Sequence, residues 1–131
     1  MLLLASKIQG EREQFFPIHE LARELNLSFH FLTKVLQVLT DAELLKSYRG
    51  PKGGVGFQRD VNSIKLIDIV DATDGLEVFD RCVLGLPACN DRSPCPLHDK
   101  WKKQREQIKT LFQKTSIRSL SRNLHGTRLA D

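Results

Sequence analysis

The sequence lacks a long apolar run. None of its 131 residues belongs to an uninterrupted hydrophobic stretch close to the ~20 residues that a transmembrane helix needs. The apolar start from Met1 to Ala5 is not preceded by basic residues, and Lys7 ends it too early for a secretory signal. We therefore expect a cytoplasmic protein that has no membrane partner.

The sequence also lacks a recognisable catalytic constellation. No base–nucleophile pair can be named, which argues against an enzyme. The one glycine-rich segment, residues 50–56, does not carry the Gly-Lys-Ser/Thr of a phosphate-binding loop between a strand and a helix. A nucleotide-phosphate loop is therefore disfavoured.

Cysteine is scarce and unevenly placed. The chain has three cysteines, an odd number in a compartment that keeps thiols reduced, so a disulfide framework is disfavoured. All three lie in one proline-broken stretch, at Cys82, Cys89 and Cys95, and His98 follows. Such a cluster in a polar loop is not typical of core packing.

The cysteine spacing bears on the kind of site. Zinc sites usually contain C-x2-4-C pairs, and the gaps here are wider. Iron–sulfur clusters accept wider spacing and need soft thiolate ligands, and an imidazole can replace one thiolate. The pattern favours a metal site, with an iron–sulfur cluster ahead of zinc and His98 as a candidate fourth ligand. Buried cysteines without a metal and a thiol–disulfide switch remain alternatives.

Charge is divided along the chain, whose net charge is +4. Basic segments at 46–59 and 98–131 flank an acidic segment at 60–80. A basic surface favours anionic partners such as nucleic acid, although the overall excess is mild.

Two short amphipathic patterns predict a helix-turn-helix. Residues 18–25 and 29–39 each place apolar side chains at helical spacing, and Ser28 in the turn between them is a good N-cap. The second helix has a further polar stripe, formed by His30, Thr33, Lys34 and Gln37. An ordinary helix pair with one solvated face would show the same pattern, so the helices alone do not establish DNA binding.

The next segment strengthens the DNA-binding interpretation. Residues 44–59 contain two strand-like runs around a glycine-rich basic turn, which predicts a β-hairpin. Arg49 and Lys52 supply charge, and glycines including Gly50, Gly53 and Gly54 allow close backbone approach. A basic hairpin after a helix-turn-helix predicts a wing that contacts phosphates or a minor groove.

The C-terminal third predicts two further helices. One, capped by residues 60–63, runs from Ile64 to a stop at Gly75; the other is a single long amphipathic helix over residues 96–121, with a loose polar tail from Ser119. So long a helix cannot bury its apolar stripe within a small domain, so we expect a homodimer.

The predicted fold class is mainly α with a small β-hairpin wing. The expected divisions are a winged helix-turn-helix domain at 1–75 (wing 46–59), a cluster-binding loop at 76–95, and a dimerisation helix with a basic tail at 96–131.

Three segments carry a resemblance to a known family. "ELARELNLSFHFLTKVLQVL", "LLKSYRGPKGGVGF" and "CPLHDKW" resemble the helix-turn-helix, the wing and the end of the cluster loop in the Rrf-two (Rrf2) family of bacterial transcription regulators, which contains IscR- and NsrR-like proteins. The resemblance implies a homodimeric repressor or activator that binds a DNA operator and senses redox state, iron or nitric oxide through an iron–sulfur cluster, with 2Fe-2S favoured and 4Fe-4S as the other form.

The resemblance also implies roles for individual residues. The implied cluster ligands are Cys82, Cys89, Cys95 and His98. The implied base and phosphate contacts are Ser28, His30 and Thr33 on the recognition helix. The implied minor-groove contacts of the wing are Arg49 and Gly50. On this basis we expect Lys34 and Gln37 to join in reading bases, and Lys52 to contact phosphate.

This chain departs from the family pattern at three places. We expect it to begin inside the family's first helix, with residues 1–12 forming that helix's last turns. At the wing, Glu43 stands where the family usually has a preceding glycine, and Val55-Gly56 replaces the usual aromatic residue after the paired glycines. The gap between Cys82 and Cys89 is one residue longer than in IscR-like members.

Overall fold

The described part of this computed structural model, residues 1–10, 13–122 and 124, is mainly helical with one β-hairpin. Its elements are α1 Leu2–Lys7, α2 Ile18–Glu24, α3 Phe29–Asp41, β1 Leu45–Tyr48, β2 Gly54–Phe57, α4 Leu66–Thr73, a 3-10 turn Leu76–Phe79, α5 His98–Lys114 and α6 Ile117–Arg122. The predicted fold class is confirmed. No helix within these ranges is long and apolar enough to cross a membrane.

The turn between α2 and α3 is built from local signals. Asn26 adopts a left-handed conformation, with φ 51°, and the Leu27 amide donates to the Ala22 carbonyl at 2.9 Å, which closes α2 in the usual way for a left-handed C-terminal residue. The Ser28 hydroxyl then accepts from the Phe31 amide at 3.1 Å and caps α3, as predicted. The two helices therefore form the helix-turn-helix that the sequence indicated.

The apolar stripes of these helices meet in one core. Leu21 of α2 and Leu32, Leu36 and Leu39 of α3 are buried together with residues of α1, the hairpin and α6. Burial of this face fixes the rotation of α3, so the opposite face is directed to solvent. The core therefore presents the polar stripe of α3 on the surface.

The hairpin is antiparallel and has a third backbone partner. Leu45 pairs with Phe57 and Tyr48 with Gly54. The N-terminal segment pairs with the outer side of β2, because the Phe16 and Val55 backbones exchange hydrogen bonds of 2.9 and 3.0 Å. This pairing links residues ~40 positions apart in the sequence, and the sequence patterns gave no sign of it.

Two glycines of β2 allow this close pairing. A Cβ atom on Gly54 would overlap the carbonyl of Phe16, and one on Gly56 would overlap the carbonyl of Gln14. These glycines thus have a packing role inside the chain, in addition to any role at a DNA surface.

Helix α4 begins later than predicted. Asp60 does not cap it; its carboxylate accepts from the Asn62 amide at 2.9 Å in a separate turn. Residues 64 and 65 are instead held extended beside Ser116, and the Leu66 amide that follows donates to the Thr115 carbonyl at 3.0 Å. The helix stops before Gly75, with φ 78°, as predicted.

The prediction of one long C-terminal helix is wrong. The helix is interrupted at Thr115 and Ser116, and the Ile117 amide that follows donates to the Ile64 carbonyl at 2.9 Å. Helix α6 then turns back and packs on α1. Ile117 is fully buried in the core, and this burial outweighs continuation of the helix. Part of the tail that we expected to be loose is therefore helical as far as Arg122; residues 123 and 125–131 lie outside the described residues, as do residues 11 and 12 of the predicted first helix.

Glu43 provides a test of the local backbone. It has φ 56° and closes α3: its amide donates to Thr40 at 2.9 Å, and the Leu44 amide donates to Leu39 at 3.0 Å. A residue with a side chain is strained by about 1–2 kcal/mol in this conformation. Glycine avoids this strain, but it loses about 0.5–1 kcal/mol more backbone entropy on folding than a residue with a side chain. We expect Glu43→Gly to raise the free energy of unfolding by about 0.5–1 kcal/mol in urea denaturation.

A matched control is Asn26→Gly, at the equivalent position of α2. Asparagine tolerates the left-handed region, so this change should have a smaller effect than Glu43→Gly. A decrease in stability on Glu43→Gly would contradict the assignment of strain to that residue.

Candidate functional site

The three cysteines come together in the loop between the 3-10 turn and α5. Their Sγ atoms all lie within 4.8 Å of one another, and the Cys82 and Cys95 sulfurs are 3.8 Å apart. All three side chains are half-buried and form no disulfide. The loop thus presents three thiols at one point, near its attachment to α5.

Short turns between the cysteines produce this arrangement. The Gly85 amide donates to the Cys82 carbonyl at 3.0 Å, with Gly85 in the left-handed region at φ 69°. Further along, the Asn90 side-chain oxygen accepts from the amides of Arg92 at 2.8 Å and Ser93 at 3.0 Å. These turns fold the long gaps between cysteines back on themselves, so wide spacing in sequence becomes close spacing of sulfurs.

One face of α5 holds the loop. Trp101 Nε1 donates to the carbonyl of Arg81 at 3.0 Å, and Arg105 Nη1 donates to the carbonyl of Asp80 at 2.9 Å. Both carbonyls come directly before Cys82. The position of Cys82 is therefore fixed to α5 through the backbone, and Trp101 has a specific polar contact in addition to its apolar surface.

His98 occupies the same face of α5 and is directed into the site. It is 6% exposed, and its Nδ1 lies 3.2 Å from the Cys89 sulfur. Its Nε2 lies 2.8 Å from Asp91 Oδ1. The structure thus brings together all four residues that the resemblance implied as ligands.

Asp91 is a site residue that the sequence analysis missed. Lys102, one turn beyond His98 on α5, donates to its two carboxylate oxygens at 2.7 and 2.9 Å. Lys102, and after it the His98 ring, lower the pKa of Asp91 to about 2. No sequence spacing identifies a single acidic residue in a cysteine loop as the partner of a histidine. The position of Asp91 beside His98 is therefore evident only from the fold.

The thiols differ in acidity. A hydrogen bond from the Leu86 backbone lowers the pKa of Cys82 to about 7. The Cys95 backbone acts in the same direction on Cys89, but burial and the neighbouring Cys95 and Cys82 sulfurs together raise the pKa of that thiol. Cys82 is therefore the more readily ionised of the two.

A cleft gives solvent access to the same two thiols. Its volume is about 370 Å³, and it is lined by Cys82, Cys89, Gly85, Leu86 and Pro87 among others. Small oxidants can therefore reach the sulfurs without opening the core.

The donor set fits an iron–sulfur cluster. Three thiol sulfurs within 4.8 Å of one another and one imidazole nitrogen on the same side supply soft ligands at the edge of the fold. The same donors serve zinc in structural sites. The metal and sulfide content of the purified protein distinguishes the two.

The predicted DNA-reading residues of α3 differ in their surroundings. His30, Lys34 and Gln37 are exposed, and Gln37 donates to Asp41 at 2.7 Å. Thr33 is half-buried, and its hydroxyl donates to the Phe29 carbonyl of its own helix at 2.8 Å. Ser28 is exposed but is engaged as the N-cap. The first three are thus the most available for base contacts.

Exposed apolar side chains lie beside this stripe. Leu27, Phe31 and Val38 are 40%, 55% and 41% exposed. The polar periodicity of α3, which predicted the DNA-reading stripe, does not include these three side chains. Apolar side chains on a recognition helix contact thymine methyl groups, so they belong to the same candidate surface.

The wing presents its cations at the tip. Arg49, Gly50 and Lys52 are exposed. Within the described part of the chain, neither cation forms an ion pair. The Gly53 amide donates to the Gly50 carbonyl at 2.8 Å, and a Cβ on Gly53 would overlap the Tyr48 carbonyl. Gly53 and Gly54 are thus required by the hairpin itself, whereas Arg49 and Lys52 are free to contact a polyanion.

Comparisons with known proteins are consistent with this geometry. A family model named Rrf2 and described as "Iron-dependent Transcriptional regulator" matches residues 1–123. The HTH-type transcriptional regulator IscR of Xenorhabdus nematophila is 26% identical over 115 residues, covering 88% of this chain and 70% of that protein. The structure of CymR, the global cysteine regulator of B. subtilis, matches with a TM-score of 0.73 and 25% identity, covering 93% of this chain and 87% of that one. The oxidised form of Staphylococcus aureus CymR matches with a TM-score of 0.66 and 24% identity, covering 92% and 85%.

Proposed function

Because this chain belongs to the Rrf2 family of transcriptional regulators, we propose that it is a homodimer whose operator binding is controlled by an iron–sulfur cluster. Family membership makes it a DNA-binding transcription regulator and not an enzyme; the cluster and the dimer are the proposal. The observation that carries it is the convergence of Cys82, Cys89 and Cys95 within 4.8 Å, with His98 Nδ1 3.2 Å from one sulfur. When bound, the cluster supplies a redox-active centre at the loop.

The outer face of α5 supports the dimer. Ile108 and Leu111 are 39% and 59% exposed, and Leu97 just before the helix is 37% exposed. These side chains continue the apolar pattern that predicted a helix pairing with a second copy. Pairing through α5 would place the loop of each subunit beside the interface.

The residues around the loop provide a route to the DNA-binding surface. Asp80 and Arg81 are bonded to Arg105 and Trp101 of α5, α5 packs on α4, and α4 packs on α3. A rearrangement between Cys82 and Cys95 would therefore reach α5 directly. In a dimer, movement of α5 would change the distance between two recognition helices that enter successive major grooves ~34 Å apart. A coupling of about 1–3 kcal/mol is the usual size of such an effect.

Anaerobic purification followed by iron and acid-labile sulfide determination tests the proposal. We expect a coloured protein with iron and sulfide in equal amounts, a dimer by light scattering, and DNA affinity that differs between the loaded and the stripped protein. A colourless preparation without iron and sulfide would refute the cluster. Zinc alone in the preparation would replace it with a structural metal site.

A second candidate is a thiol–disulfide switch, which the 3.8 Å distance between the Cys82 and Cys95 sulfurs favours. A hydroperoxide would accept two electrons from these thiols, leaving a disulfide, an alcohol and water. The oxidised S. aureus CymR structure is a precedent for oxidation in a relative of this fold. This candidate predicts a colourless protein that loses two hydrogens in mass on oxidation.

The wing gives a separate test of DNA contact. We expect the double substitution Arg49→Ala and Lys52→Ala to weaken binding to any duplex about equally. The slope of log affinity against log salt should become shallower by about 0.9 for each phosphate that the variant no longer neutralises. Fluorescence anisotropy with a duplex of random sequence measures this, because interactions with phosphates carry no sequence information.

Lys103→Ala is the matched control for the wing, because it removes an exposed cation from α5. It should leave the salt dependence close to that of the wild type. If the wing variant kept the wild-type slope, the assignment of Arg49 and Lys52 to phosphate binding would be wrong.

A further inference from the structure

A three-residue chain of polar contacts ends at the cysteine site. Lys102 holds both oxygens of Asp91, at 2.7 and 2.9 Å. Asp91 Oδ1 lies 2.8 Å from His98 Nε2, and His98 Nδ1 lies 3.2 Å from the Cys89 sulfur. The imidazole is thus buried between a carboxylate on one side and the thiols on the other.

The carboxylate decides which ring nitrogen carries the proton. A neutral imidazole has one N–H, and an ionised carboxylate can only accept a hydrogen bond. In the neutral ring, the proton of His98 is therefore expected on Nε2, facing Asp91, with the lone pair of Nδ1 directed at the thiols. Carboxylates perform this task for many metal-binding histidines, where they fix the tautomer and the ring orientation.

We propose that Asp91 is a positioning residue that holds His98 with Nδ1 presented to the cysteine site. Lys102 orients the carboxylate for this purpose. As far as Nδ1 acts as a cluster ligand, the inference rests on the proposed function. The orientation of the ring does not depend on it.

The local structure shows why Asp91, and not another acid, serves His98. The Asn90 side chain fixes the turn around Asp91 by accepting from the amides of Arg92 and Ser93. The Asp91 side chain is 68% exposed, so packing does not hold it, and its hydrogen bonds to α5 must. Asp99 is adjacent to His98 in sequence and is exposed; among the contacts of the described residues, none joins it to the ring.

Asp91→Ala tests the proposal in the stripped protein. We expect long-range 15N–1H NMR spectra of the wild type, recorded at alkaline pH, to show His98 with its proton on Nε2. In Asp91→Ala the ring should become a mixture of both tautomers. Asp99→Ala is the matched control and should retain the wild-type pattern. An unchanged His98 tautomer in Asp91→Ala would overturn the proposal.

Iron retention tests the consequence for the site. In the loaded protein, Asp91→Ala should lose iron to a chelator about 10–100-fold faster, the usual cost of losing such an orienting partner. In a His98→Ala background, Asp91→Ala should add no further loss, because Asp91 acts through His98. An equal loss in both backgrounds would overturn the positioning role.

The two readouts separate this inference from the proposed function. If the wild type binds no iron, the proposed function fails, and the tautomer measurement alone decides whether Asp91 positions His98. If the wild type binds iron and Asp91→Ala keeps both the wild-type rate of iron loss and the wild-type His98 tautomer, the proposed function stands and the positioning role is refuted.

Discussion

Replacing Gly54 with alanine should lower the free energy of unfolding by about 3 kcal/mol or more. The new Cβ would overlap the carbonyl of Phe16, a backbone atom that cannot move aside without breaking its own pairing. That pairing consists of two hydrogen bonds between Phe16 and Val55, at 2.9 and 3.0 Å. Gly54 also has φ 153°, which side chains rarely adopt. The N-terminal segment should therefore detach from the wing.

Gly10→Ala is the matched control for this prediction. Gly10 has φ 75°, but a Cβ there would meet no atom within 4 Å, so only backbone strain of about 1–2 kcal/mol is expected. Urea denaturation measures the loss of stability in each variant. Gly54→Ala combines steric overlap with backbone strain, whereas Gly10→Ala has backbone strain alone. Recovery of Gly54→Ala as unfolded protein agrees with the prediction, and a wild-type denaturation midpoint would contradict it.

Cys89→Ala should abolish cluster binding while leaving the fold intact. Cys89 contributes one of the three converging sulfurs, and this sulfur lies 3.2 Å from His98 Nδ1. The core lies elsewhere, among α1 to α4, the hairpin and α6, so the stripped variant should unfold within about 1 kcal/mol of the stripped wild type. Iron content should fall to background, and DNA affinity should no longer respond to oxidation.

Ser93→Ala is the matched control in the same loop. Ser93 takes part in the turn at Asn90 through its backbone amide and carbonyl, so removal of its hydroxyl should leave iron content and redox response unchanged. A Cys89→Ala protein with full iron content and an unchanged redox response would refute the cluster proposal.

Local signals predicted much of the fold. The Ser28 cap, the turn at Asn26, the glycine-rich turn of the hairpin and the stop at Gly75 each depend on residues that are close together in the sequence. The conformational preferences of single residues decide such features. These features could therefore be predicted from the sequence, and the structure confirms them.

The remaining features depend on contacts between distant residues. The periodicity of residues 96–121 predicted one helix because periodicity reflects only local spacing. It does not show that Ile117 is buried beside Ile64, which is distant in the sequence. The pairing of Phe16 with Val55 and the position of Asp91 beside His98 were missed for the same reason. The cysteine spacing indicated a shared site, whereas the orientation of the histidine required the fold.

The anchoring of the cysteine loop has a consequence for how this protein can diverge. The loop leaves and rejoins the rest of the chain at fixed points, through the Asp80 and Arg81 carbonyls on one side and α5 on the other. The entropy cost of closing a loop grows only with the logarithm of its length, about 0.6 kcal/mol for a doubling. The additional residue between Cys82 and Cys89 is therefore nearly neutral for stability. Insertions and side-chain exchanges in this loop can therefore accumulate while the helices and the wing stay the same, so the chemistry of the loop can diverge on one DNA-binding scaffold.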